Sequence, residues 1–278
     1  MSIVTFWNGT DEQCGTTSSS IAFATLTAIE HNIKVLLIST SLNDSLVKDS
    51  FWQQPKNRGF GLFSGNKTSA FDANGVEGLD RVIRSNKISP NIITDYTKIV
   101  LTDRLEILQG IEGTQGQYDL IKDRYSQIIS LAGKYYDMVI VDLDRKVGEQ
   151  AEIDILNESD IVVAMIPQRA KQIEKINDLI KQNKVLKEKN TVITIGRYIS
   201  DTKYNAKNIT RNLLKQKDII NFIPYNNLFF EASQEGKVID LFLTFMRLKE
   251  KDTNFTFVQE LKRLYETIDI KTKMLRIN

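Results

Sequence analysis

Two runs of this chain, Met138-Val139-Ile140-Val141 and Ile161-Val162-Val163-Ala164-Met165-Ile166, are apolar at every position. A strand with one wet face alternates apolar and polar residues, so runs of this kind are covered on both faces, as in a parallel sheet between helical layers. Strands are expected at 2–7, 34–39, 104–108, 136–142, 161–166, 191–195 and 219–223. Helical patterns are expected between or after them at 17–31, 117–134, 169–187, 206–215 and 255–268. This alternation predicts an α/β fold with a doubly wound, mostly parallel sheet in three layers. With 278 residues and 41% hydrophobic content, one domain over the whole chain is expected. The stretch 43–74 departs from the pattern. It is rich in Asn, Ser, Gly and Lys but carries Phe51, Trp52, Phe60, Phe63 and Phe71, so it reads as an excursion anchored on the core or as a partner-facing lid.

Charge is informative only in its distribution. The chain has 37 basic and 35 acidic residues, yet 169–217 holds 13 Lys/Arg against Glu174, Asp178, Glu188 and Asp201. That excess fits either a solvated helix face or an anionic partner such as DNA. A single cysteine, Cys14, excludes an intramolecular disulfide and a thiolate metal cluster, and a lone His31 excludes a histidine-rich metal site. Cys14 and His31 are about four helical turns apart, which leaves no Cys/His catalytic pair. No basic leader precedes the first apolar run and no apolar stretch reaches the roughly 18 residues of a membrane span, so a soluble cytoplasmic protein is expected. The amphipathic stretch 255–265 is expected to pack on the domain rather than on a membrane.

Between the first strand and the first helix lies Asn8-Gly9-Thr10-Asp11-Glu12-Gln13-Cys14-Gly15-Thr16-Thr17-Ser18, the placement of a phosphate-binding loop. Gly9 and Gly15 permit tight backbone angles, and Thr16, Thr17 and Ser18 open a helix whose free N–H groups attract an anion. The same residues also make an ordinary strand-to-helix turn with a serine-rich cap. The loop has no lysine. Thr16 holds the place where an ammonium would follow charge on the β- and γ-phosphates, no Lys or Arg precedes Lys34, and Asp11 and Glu12 bring negative charge.

The order of motifs resembles the ParA/MinD family of deviant Walker ATPases, a P-loop NTPase branch. Gly15-Thr16-Thr17-Ser18 is similar to the end of the family loop with Thr for Lys, and the family's signature lysine at the loop start is absent. Ser39 and Ser41 stand where the second strand of the family carries an Asp-x-Asp. Tyr136-Asp137-Met138-Val139-Ile140-Val141-Asp142 resembles the strand leading to the γ-phosphate switch, and Leu143-Asp144-Arg145-Lys146 replaces the family's Pro-containing turn. Ser159-Asp160 through Pro167 resembles the next strand, and Ile223-Pro224-Tyr225-Asn226 the strand end that lines the adenine pocket, with Gly196-Arg197-Tyr198 beside the base. The pattern is most similar to the divergent branch that includes the TadZ/CpaE localisation proteins of pilus assembly.

The resemblance implies phosphate binding by Gly9, Gly15, Thr16, Thr17 and Ser18, base contacts from Arg197, Pro224 and Tyr225, and Mg²⁺ held through Thr17 and Asp142. From the residues alone, Asp142 is equally a cap for the next turn and Pro224 equally a strand terminator. Loss of both lysines and both strand-two acids implies weak binding of ATP or ADP with Mg²⁺ and little or no hydrolysis, unless Arg145 or Lys146 supplies a substitute cation. The expected role is a homodimerising scaffold or spatial-positioning factor, a pseudo-ATPase with a protein partner in a localisation or assembly system. The alternative is partition-type, non-specific DNA binding through 169–217.

Overall fold

The computed structural model describes residues 1–10, 12–53, 75–85, 89–212 and 220–277. The element order is β1 (Ser2–Trp7), α1 (Thr16–Glu30), β2 (Val35–Ser39), α2 (Leu46–Phe51), α3 (Val76–Arg84), β3 (Lys98–Leu101), β4 (Leu105–Leu108), α4 (Gln115–Ile121), α5 (Tyr125–Ala132), β5 (Met138–Leu143), α6 (Glu149–Glu158), β6 (Ile161–Ile166), α7 (Ala170–Gln182), α8 (Lys184–Glu188), β7 (Asn190–Tyr198), α9 (Ala206–Asn212), β8 (Asn221–Pro224), α10 (Asn227–Glu235), α11 (Val238–Phe245) and α12 (Phe255–Ile277).

The strands form one sheet in the order β3-β4-β2-β5-β1-β6-β7-β8, parallel throughout except for β3 on β4. Each central strand buries both faces, which is why its sequence does not alternate. Ile3 and Trp7 of β1 join a core with residues of α3 to α9, while Val4 and Phe6 join a second core with α1, α2, α10, α11 and α12. The three-layer doubly wound architecture is therefore as expected from the apolar runs.

All seven expected strands are present, with ends moved by one to three residues where they differ. The half-exposed antiparallel edge strand β3 was not anticipated. The helix expected over 117–134 is two helices separated by a 3-10 turn at Lys122–Arg124. The pattern over 169–187 also divides, because the Asn183 side chain accepts from the Leu186 N–H and caps α8. The expected 206–215 helix is described only to Asn212. From the 43–74 excursion, 54–74 lies outside the described residues, with Phe60, Phe63 and Phe71. Phe51 and Trp52 are partly buried against the second core. The amphipathic 255–265 stretch packs inward through Phe257, Val258, Leu261 and Leu264. Among the described residues, no helix is long and apolar enough to cross a membrane.

Candidate functional site

The loops after β1, β2, β5, β7 and β8 emerge along the C-terminal edge of the parallel strands, the edge where open α/β sheets bind ligands. The loop after β1 is folded by its own side chains. Asn8 accepts from the Thr10 N–H and hydroxyl, both at 2.9 Å, and donates to the Glu12 carbonyl at 2.9 Å. The loop ends at Gly15, whose φ of 77° places it in the left-handed region that favours glycine, and α1 starts at the next residue. No side chain caps α1 and no acid lies in its first turn, so the free N–H groups of that turn are open to an anion.

A cavity of about 330 Å³ lies beside this helix start. It is lined by the loop at Asn8 and Gln13 to Ser18, by Ser41 and Leu46, by Asp142 to Arg145, and by Arg197. A narrower slot of about 50 Å³ adjoins it and shares Gly15, Ser18 and Arg197; Pro224, Tyr225, Asn226, Phe229 and Phe230 form much of its other wall. The structure thus brings Gly15, Thr16, Thr17, Ser18 and Asp142 to one cavity, and Arg197, Pro224 and Tyr225 to the slot that continues from it. Gly9 is not in the cavity lining. Its φ is not in the left-handed region, and its missing side chain serves packing, since a β-carbon there would lie 2.1 Å from the Trp7 ring.

Asp142 is buried, and burial pushes its carboxyl up to about 7, against the lowering effect of hydrogen bonds from the Thr17 and Ser20 hydroxyls; Asp44 and Asp144 nearby raise it further. A hydroxyl at the helix start beside a buried carboxylate suits an Mg²⁺ that arrives with phosphate oxygens. Among the described residues, no group of three or more His, Cys, Asp or Glu side chains could hold a metal. The Thr16 hydroxyl is taken up by Cys14 Sγ at 3.3 Å. Ser39 and Ser41, at the places of the strand-two acids, hydrogen-bond each other at 2.8 Å. Asp44, near Asp142 on the chain leaving β2, was not singled out from the sequence; one carboxylate in a polar loop carries no distinguishing pattern.

Among the described residues, the cavity lining contains no lysine but includes two arginines, Arg145 and Arg197, and not Lys146. The Arg145 guanidinium donates to the Thr10 carbonyl and so is engaged by the loop itself. Glu12 faces away from the cavity: Arg169 pairs with it at 2.9 Å and Gln172 donates to it at 3.0 Å. The negative charge expected to oppose an anion is therefore turned outward at Glu12, while Asp11 lies outside the described residues. In the basic stretch, Lys171, Lys175, Lys181, Lys184 and Lys187 are exposed, with Glu174 and Asp178 exposed among them.

With this geometry in hand, solved structures provide the comparison. The chain superposes on a ParA family ATPase from Chlorobium tepidum with a TM-score of 0.66, covering 95% of this chain and 98% of that one at 15% identity. The fold is that of the ParA/MinD ATPases. A putative plasmid partition protein from Borrelia burgdorferi bound to AMPPNP matches with a TM-score of 0.62 at 14% identity, over 96% of this chain and 98% of that one. The septum site-determining protein MinD from Pyrococcus horikoshii, complexed with Mg-ADP, matches at 0.61 and 13% identity, over 97% and 98%. No protein-family description and no curated protein matches the sequence. Identities this low carry the ParA/MinD fold and not the residues of a site.

Proposed function

We propose that this protein binds ATP or ADP with Mg²⁺ weakly in the Gly15 cavity, hydrolyses it slowly or not at all, and works as a dimerising scaffold or spatial-positioning factor with a protein partner in the cytoplasm. One observation carries the reading: the uncapped α1 start and Thr17 beside Asp142 line a cavity that shares Gly15, Ser18 and Arg197 with the slot of Pro224 and Tyr225, and no lysine lines either among the described residues. Backbone donors and a helix terminus suffice to hold phosphate. Cleavage also requires charge neutralisation at the terminal phosphate, where one well-placed cation is worth roughly 10³- to 10⁵-fold in rate. Two arginines reach the cavity, but Arg145 is engaged by the Thr10 carbonyl and Arg197 stands at the junction of the cavity with the slot rather than deep in the cavity. The altered loop, with Thr16 for lysine, supports a TadZ/CpaE-like pseudo-ATPase reading.

Calorimetric titration with ATP and Mg²⁺, beside a phosphate-release assay, tests the reading. Binding with negligible release supports it. Turnover abolished by Thr17→Ala would refute it. The partition-type alternative is tested by DNA retention through 169–217, which must collapse as salt rises if it is phosphate binding.

A further inference from the structure

The loop has lost its lysine, yet one cation of this chain is built directly over it. Arg197 stands near the end of β7, where the register with β8 shifts between Ile195 and Tyr198, and its backbone is left-handed with a φ of 49°. In that conformation its side chain crosses Gly15: a β-carbon on Gly15 would lie 3.1 Å from Arg197 Cγ and 3.2 Å from Nε. The preceding residue fixes the seating. A β-carbon on Gly196 would lie 2.0 Å from the Cys14 carbonyl oxygen, so the loop backbone rests directly on β7. Thr16, at the position of the lost lysine, spends its hydroxyl on Cys14. Among the described residues, the Arg197 side chain forms no ion pair or hydrogen bond, and it lines both the larger cavity and the slot.

We infer that Arg197 is a phosphate-binding residue, a cation delivered from β7 to the diphosphate unit of a nucleotide in place of the loop lysine. The inference rests on the nucleotide reading above and extends the role of Arg197 beyond a base contact. Its position at the junction of the two spaces, beside Gly15 and Ser18, puts the charge between the base and the terminal phosphate. There a guanidinium makes paired, charge-assisted hydrogen bonds to phosphate oxygens. This arrangement strengthens holding without supplying charge where the terminal bond breaks, which agrees with binding in the absence of turnover. A left-handed backbone at a non-glycine residue is unfavourable and recurs at functional sites.

The test is calorimetric titration of ADP, ATP and inorganic pyrophosphate into the wild-type chain and the variants Arg197→Ala, Arg197→Lys and Arg197→Gly, with a melting curve for each. Arg197→Ala is expected to weaken all three ligands alike by about ten- to a hundred-fold, and Arg197→Lys to recover part of the loss. Arg197→Gly is expected to lose affinity while its melting temperature is held or raised, because glycine accepts the left-handed backbone; a structural role would lower both together. Unchanged affinity in Arg197→Ala and Arg197→Gly overturns the inference, and so does a loss confined to nucleotides with pyrophosphate unaffected. Arg197-dependent pyrophosphate binding without nucleotide binding would sink the nucleotide reading and support only the phosphate-binding role of Arg197. A wild-type chain that binds none of the three overturns both.

Discussion

The Arg169 guanidinium holds the Glu12 carboxylate at 2.9 Å, and that pair turns the Glu12 charge toward α7. Gln172, one turn along α7, donates to the other carboxylate oxygen. The Glu12 carboxylate is thus presented to α7 while the uncapped start of α1 faces the cavity. Arg169→Ala should weaken ATP binding by about two- to fivefold, a modest effect because the pair is partly exposed. Glu12→Gln should not weaken it. Titration at low ionic strength checks both, and stronger binding in Arg169→Ala would contradict this account of the loop.

Asp142 gives the site a pH dependence with a definite sign. Its carboxyl is raised to about 7 in the fold, chiefly by burial, from an ordinary value near 3.8. The folded state therefore holds a proton that the unfolded state releases between about pH 4 and 7, and stability from this group falls as pH rises through that window. Asp142→Asn, which resembles the protonated acid, should flatten the dependence and raise stability at pH 8, by about 4 kcal/mol at most. Mg²⁺-dependent nucleotide binding should strengthen as Asp142 ionises near neutral pH. Urea unfolding from pH 5.5 to 8 for both proteins checks the first part. Wild-type stability that rises across that range relative to Asp142→Asn would contradict the assignment.

Close approach of the loop to β7 depends on Gly196. Its missing β-carbon leaves room for the Cys14 carbonyl and the Met165 methyl, which would lie 2.0 and 2.7 Å away. Gly196→Ala should cost about 1–3 kcal/mol by overpacking and should weaken nucleotide binding by moving Gly15. Equilibrium unfolding and titration measure the two effects. A stable variant with unaltered binding would show that the seating is dispensable.

Most of the fold is legible because β1, β5 and β6 are largely apolar on both faces, a pattern that neither a surface helix nor a sheet with one solvent-exposed face produces. The helix breaks at Lys122–Arg124 and Asn183 are set by local turns inside continuous apolar periodicity, so periodicity alone joins the segments. The edge strand β3 is only Lys98-Ile99-Val100-Leu101, and its Ile99 is exposed, which removes the signal that marks the buried strands. At the candidate site, the grouping of Gly15, Thr17 and Asp142 around one cavity follows from their places at strand and helix ends. The crossing of Arg197 over Gly15 does not, because it arises from a shifted register and a left-handed backbone on a strand remote in sequence. The outward turn of Glu12 likewise depends on Arg169 and Gln172, more than 150 residues away.

Away from the site, Glu106 is a second test of how burial and pairing balance. It is buried in β4, accepts from the Tyr136 hydroxyl at 2.6 Å and pairs with Lys34 at 2.9 Å; hydrogen bonds from Thr97, Tyr136 and Lys34 together outweigh its burial and hold its carboxyl below the usual range. Lys34→Met leaves this carboxylate with two neutral donors, and should cost about 2 kcal/mol. The deficit should be largest near neutral pH and shrink as Glu106 protonates in acid. Urea melts at pH 7 and at about pH 3, well into acid because the Glu106 value is lowered, measure it. An equal loss at both would exclude the ion pair as its source.

The decisive measurement is phosphate release from ATP and Mg²⁺ by purified protein at concentrations where calorimetry shows the cavity filled, with Thr17→Ala as the control. The account predicts nucleotide bound and released phosphate no faster than in Thr17→Ala. Brisk release by the wild-type chain that disappears in Thr17→Ala would contradict it.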